Sequence, residues 1–207
     1  MRRLYVACEG LTEVNFVTAV LKPHLEGLAD HKLSVSAPNL KGFKTYAALR
    51  KDLKRLLVSG DVTTMIDLFK LASDFPGRAE SVELPPVDRV AEMERRFGED
   101  IADSHFVPYL QLHEFEALVL ADLRPLARRH PNREREIADL ERRLRQFPTP
   151  EHVNRMQPPS YWITQFIPEY NKTLDGMIVT AETGLPALRE RCPHFGQWID
   201  QLGKLQL

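Results

Sequence analysis

At 207 residues the chain is long enough for one sizeable core, or for a core with a helical extension. Hydrophobic residues make up 43% and charged residues 28%, with a formal net charge of -1, so no global basic field attracts nucleic acid and any such contact needs a local patch. Two cysteines, Cys8 and Cys192, exclude a disulfide framework, and no run reaches the roughly 18 apolar residues of a membrane-spanning helix. Arg2 and Arg3 precede only a short apolar run before Glu9, too short for a secretory leader. A soluble cytoplasmic protein with reduced thiols is expected.

Residues 3–8 read as a buried strand stopped by Gly10. Thr12 has the character of an N-cap, with Glu13 in the first turn of a helix carrying Phe16, Val17, Val20 and Leu21. Residues 32–37 form a second expected strand before Pro38. Thr45 caps a helix with an apolar stripe of Leu49, Leu53, Leu56 and Leu57. Gly60 closes it, and a third strand is expected over 62–68. Alternating strands and helices are the pattern of a doubly wound parallel sheet, so an α/β fold follows. Beyond the Asp74-Phe75-Pro76-Gly77 turn, a charged helix ends near Phe97-Gly98, and a strand over 105–112 leads into a helix through Phe115, Leu118 and Val119. Residues 123–147 are arginine-rich and helical in character. Short helices then follow an irregular connection marked by Pro148, Pro150, Pro158 and Pro159. The expected organisation is an α/β core over 1–122 and a helical C-terminal extension over 123–207, packed together as one unit.

Carboxylates recur where these strands end. Glu9 closes the first, Asp67 the third, and Glu114 and Glu116 follow the fourth. In a parallel sheet the carboxyl ends of the strands share one crevice. Acids converging there would form an oxygen-rich pocket suited to Mg²⁺ or Mn²⁺. On a regular helix Glu114 and Glu116 lie about 200° apart, so only one can face the site. Glu114, nearer the strand end, is the first choice, with Glu116 close behind. His113 is a candidate acid or base because it titrates near neutrality, although a hydrogen-bonded histidine at the helix start is the favoured reading. Lys41 and Lys44 flank Gly42-Phe43 in a loop that opens on the same crevice and could hold a phosphate.

The run Val6-Ala7-Cys8-Glu9-Gly10-Leu11-Thr12-Glu13, with Phe16-Val17 behind it, resembles the opening of Toprim-like proteins. Thr63 to Phe69, Asp74 to Gly77, Pro108 to Leu118, and Arg191-Cys192-Pro193-His194-Phe195 with Trp198 resemble further blocks of one bacterial family that carries a domain-of-unknown-function label. The resemblance spans nearly the whole chain. It implies a four-stranded parallel Toprim-like core flanked by helices, related to overcoming-lysogenization-defect nucleases. It also implies phosphodiester chemistry with Mg²⁺, and an ABC-type ATPase partner in phage defence. Glu9 maps onto the first-strand acid of that pattern and Asp67 onto the first Asp of its Asp-x-Asp motif. The chain departs at the second Asp, where it carries Phe69. It departs again at Ser160-Tyr161-Trp162, where the family usually has Ser-Lys-Arg.

Between Arg124 and Arg145 the arginines 124, 128, 129, 133, 135, 142, 143 and 145 outnumber Glu134, Glu136, Asp139 and Glu141. That excess could follow a nucleic-acid backbone or dock an acidic partner; a solvated helix with ion pairs is the favoured reading. Trp162, Phe166, Phe195 and Trp198 read as core. Cys192 and His194 lack companions for a zinc site. No dinucleotide fingerprint or Walker A motif is present. The function expected is Mg²⁺-dependent cleavage of DNA or RNA, with Glu9, Asp67 and Glu114 catalytic, Glu116 a further metal ligand, and Lys41 or Lys44 holding the phosphate. The alternative is a non-catalytic subunit that docks on an ATPase or on nucleic acid.

Overall fold

A computed structural model describes residues 1–29, 32–153 and 157–205. Strand β1 (Arg2–Cys8) is followed by α1 (Leu11–Phe16), a π-helical turn at Val17–Leu21 and α2 (Lys22–Leu28). Next come β2 (Leu33–Ser36), α3 (Tyr46–Leu57), β3 (Asp61–Met65), α4 (Pro86–Ile101), β4 (Phe106–Val107) and α5 (Glu116–Val119). The remaining helices are α6 (Arg124–Arg129), α7 (Glu134–Leu144), α8 (Pro159–Phe166), α9 (Lys172–Thr183), α10 (Leu185–Arg191) and α11 (Pro193–Lys204).

The four strands form one all-parallel sheet in the order β2-β1-β3-β4. Alternation along β1 sends Leu4, Val6 and Cys8 into one apolar cluster and Ala7 into another. The first cluster also contains Phe16, Phe115, Val179, Phe195 and Trp198, and so joins the N-terminal helices to the C-terminal ones. The second is built by Leu49 and Leu53 of α3 with Val90, Met93 and Phe97 of α4. The sheet is thus covered on both faces, as a parallel sheet requires.

Several local expectations shift. Gly10, not Thr12, is the N-cap of α1, and Glu13 reaches back to accept its N–H at 3.0 Å. Helix α4 runs to Ile101 and closes on Ala102 at φ 48°, beyond the expected stop at Gly98. The third strand ends at Met65, and β4 is only two residues long, because Pro108 has no N–H for the ladder. A single parallel bridge, Asp67 to Gln111, continues the pairing further on. The arginine-rich stretch is broken at Pro131 into α6, a short 3₁₀ turn and α7. Many of its arginines are ion-paired across elements: Arg128 with Glu182, Arg129 with Asp175 and Arg133 with Glu169.

The C-terminal helix is fastened by polar contacts. Trp198 stacks on Tyr109 at 4.1 Å between centroids, and its Nε1 donates to Thr63 Oγ1 at 2.8 Å. Glu151 accepts the His194 and Phe195 N–H groups at the start of α11. Glu94 Oε1 accepts from Leu110 N at 2.7 Å and lies 3.1 Å from His194 Nε2. Burial disfavours the imidazolium of His194, but the Glu94 carboxylate outweighs burial and raises its pKa. A raised histidine pKa stabilises the fold below the unfolded value near 6.5, and that contribution disappears as pH rises through the folded value. His194→Gln is therefore expected to cost about 2 kcal/mol at about pH 6 and clearly less at about pH 9 in urea denaturation. A loss independent of pH would contradict this linkage.

Candidate functional site

The candidate site is built where β1 and β3 end. Glu9 N donates to Met65 O at 3.2 Å, so the chain leaves the sheet with Glu9 beside the residues that follow β3. Glu9 Oε2 accepts the Asp67 N–H at 3.2 Å. Asp67 is fully buried; its Oδ1 accepts the Phe115 N–H at 3.1 Å, while Oδ2 has no hydrogen bond among the described residues. Lys70 Nζ lies 3.0 Å from Glu9 Oε1 and 3.5 Å from Asp67 Oδ2. Lys172 Nζ lies 2.8 Å from Glu116 Oε2 and 3.9 Å from the same Asp67 oxygen. One ammonium thus joins Glu9 to Asp67, and a second joins Asp67 to Glu116.

Electrostatics follow from this arrangement. Burial pushes the Asp67 carboxyl up to about 8; Lys172 and Lys70 oppose the rise, while Glu13 and Glu9 add to it. Glu116 is raised in the same way by burial, with Lys172 opposing. Burial alone would lower the pKa of Lys172, but Glu116 and Asp67 more than compensate and raise it. The Tyr170 hydroxyl is buried with no hydrogen-bond partner among the described residues, and burial together with Glu116 raises its pKa, so it stays neutral beside the acids.

Of the residues singled out in the sequence, Glu9 and Asp67 meet as expected. The two later acids have different surroundings. Glu116 is buried and shares Lys172 with Asp67, whereas Glu114 Oε2 accepts the Ser160 N–H at 3.0 Å. Helix α5 begins only at Glu116, so the regular 100° spacing does not govern Glu114. The bond to Ser160 places the Ser160-Tyr161-Trp162 block next to this acid. His113 lies shortly before α5, buried and at φ 71°, with the Glu151 backbone raising its pKa against burial. Burial lowers its pKa to about 4, so it is a neutral imidazole at physiological pH.

The loop bearing Lys41 and Lys44 lies on the same edge, held by Leu40 N to Cys8 O at 2.9 Å and Gly42 N to Glu9 O at 3.1 Å. Lys41 and Gly42 both take positive φ, 55° and 73°, a turn for which glycine is suited. Both lysines are exposed, and neither is ion-paired among the described residues, so they reach the rim without touching the acids.

Lys70 and Lys172 were not singled out in the sequence. The i,i+3 relation of Lys70 to Asp67 was a usable signal; Lys172, at the start of α9, had none before folding. Among the described residues no group of three or more His, Cys, Asp or Glu stands in ligand geometry for a metal ion, the lysines holding the acids instead. The donor chemistry nonetheless suits a hard cation: Asp67 Oδ2 and Glu116 Oε1 are buried carboxylate oxygens without a hydrogen-bond partner.

A family model described as a domain of unknown function, DUF4276, matches residues 8–203. The chain belongs to this family. No curated protein and no solved structure matches it. The matched span includes all four acids and both bridging lysines of the site. No helix among the described residues is long and apolar enough to cross a membrane.

Removing the Lys172 ammonium leaves Glu116 buried and unpaired. Lys172→Met is expected to lower stability by about 2 kcal/mol in urea denaturation. Adding Glu116→Gln should restore most of the loss, since the uncompensated charge is then gone; a double variant no more stable than Lys172→Met would argue against the ion pair.

Proposed function

We propose that this site cleaves phosphodiester bonds of nucleic acid with the help of Mg²⁺ or Mn²⁺. The observation that carries the reading is the Asp67 carboxyl, buried at the carboxyl edge of a parallel sheet beside Glu9, with one oxygen free of hydrogen bonds. Stability alone gives no reason to bury an acid among acids; electrostatic tasks do. The resemblance of the Glu9 and Asp67 segments to Toprim-like proteins supports the same chemistry.

In this reading Glu9, Asp67 and Glu116 hold the cation, with Glu114 adjoining through the Ser160 segment. When bound, the cation supplies Lewis-acid polarisation of the phosphate and a more acidic water. Lys70 is half-exposed on its three-residue turn, so its ammonium can leave the acids and pair with a phosphate oxygen. Lys172 pairs with the buried Glu116 carboxyl and opposes the rise that burial gives its pKa. Lys41 and Lys44 add positive charge at the rim and draw in the polyanion. An ABC-type ATPase partner is proposed on the family resemblance alone.

A second reading is a non-catalytic subunit, favoured by the two lysines that neutralise the acids and by Phe69 at the second-Asp position. The readings separate on Glu9→Gln, which keeps the shape and removes the charge a hard cation needs. Catalysis predicts that Mg²⁺ or Mn²⁺ binding, measured by calorimetry, is lost and cleavage falls on the order of 10³-fold or more. Stability should hold or rise. Wild-type cleavage rates in Glu9→Gln would end the nuclease reading. The non-catalytic alternative predicts a silent Glu9→Gln and loss of partner binding on charge reversal at Arg128, Arg135 and Arg142.

A further inference from the structure

The residue that interrupts the acidic motif has its own geometry. Phe69 lies in the three-residue turn Leu68–Lys70 that follows Asp67, and it is 47% exposed although its neighbour Leu68 is buried. Two trans peptide units limit the separation of the Asp67 and Phe69 Cα atoms to roughly 7.6 Å. The next residue, Lys70, is bound to Glu9 and Asp67. An aromatic residue thus stands two positions from one acid of the cluster and next to its lysine in the chain.

Its inner face is fixed. The Phe69 ring stacks on the His113 imidazole at 5.5 Å between centroids and 20° between planes. His113 is itself buried and held at φ 71°, with the Glu151 backbone beside its ring. Burial and a positive φ fix the imidazole in place, and it forms a flat support behind Phe69. The exposure belongs to one ring and not to an apolar strip along the chain, since Leu68 is buried and Lys70 is charged. A protein interface core needs a continuous apolar patch, whereas a nucleobase needs one flat face beside positive charge.

We propose that Phe69, backed by His113, is the stacking platform for an unpaired nucleobase whose phosphate meets the Glu9, Asp67 and Lys70 cluster, so that the site takes single-stranded nucleic acid. This deepens the phosphodiester reading and rests on it. Lys41 and Lys44, free of ion pairs among the described residues and carried on a loop bonded to Glu9, supply charge for the flanking backbone.

The test uses the full chain with labelled single-stranded DNA and RNA oligonucleotides, the matching duplexes, and single strands containing abasic positions. Binding is followed by fluorescence anisotropy with chelator present. Phe69→Ala should weaken single-strand binding about tenfold, or about 1.4 kcal/mol, the scale of one stacked base, and leave duplex binding unchanged. Phe69→Leu, which keeps apolar bulk without a π face, should behave like Phe69→Ala. Phe69→Trp should bind at least as well as wild type, with indole fluorescence quenched by the single strand. An abasic strand should bind wild type as weakly as an intact strand binds Phe69→Ala. If wild type cleaves with Mg²⁺ but Phe69→Ala keeps full single-strand affinity, or if wild type prefers duplex, the platform is wrong and the phosphodiester reading survives. If wild type neither binds nor cleaves any of these substrates, both are overturned.

Discussion

The buried carboxyl of Asp67 is the point through which the functional end of the molecule is assembled. Its main-chain N–H is held by Glu9 at the end of β1, its Oδ1 holds the Phe115 N–H ahead of α5, and its backbone bridges to Gln111 beyond β4. One residue therefore ties together three chain segments that are remote in sequence. A side chain with these duties cannot move outward to water, so its second oxygen stays inside without a hydrogen bond, and burial holds its proton on to about pH 8. Nearby groups respond to that constraint: Lys70 and Lys172 converge on the same oxygen.

A contrast within β3 separates structure from function. Asp61, at the start of this strand, is also buried, yet it pairs with Arg2 at 2.5 Å and lies 2.9 Å from His105 Nδ1. Burial would raise its pKa, but these partners prevail and hold it below the ordinary carboxylate value. It is a satisfied acid that fastens the amino edge of the sheet. Asp67, at the other edge, is not satisfied to the same degree. The same residue type near the two ends of one strand thus has opposite electrostatic fates, set by which edge of the sheet it occupies.

The C-terminal helices complete the site as well as the core. Lys172 and Tyr170 reach the acids from the start of α9 and the segment before it, while the amide of Ser160 at the start of α8 holds Glu114. The two aromatic layers differ in kind. Tyr109, Phe195 and Trp198 are wholly buried and interlock the sheet with α11. Phe69 is 47% exposed and stacks on the buried His113. Packing explains the first set completely and leaves the exposure of Phe69 without a structural task.

Local pattern by itself determined the parallel α/β architecture, because short apolar runs alternating with amphipathic stretches bury two faces of a sheet in only one way. It also determined that Glu9 and Asp67 share an edge, since both close adjacent parallel strands. Strand lengths were less legible: Pro108 ends β4 early, and the pairing that continues at Gln111 depends on Asp67 rather than on any run of β-formers. Only the tertiary structure decided between Glu114 and Glu116. Their surroundings differ because the partners that hold them, Ser160 and Lys172, come from distant segments. The burial of His113 was likewise invisible, because solvation is a property of surroundings and not of residue type. The sequence thus carried the edge on which charge collects. The charge balance there was decided by lysines brought in through folding.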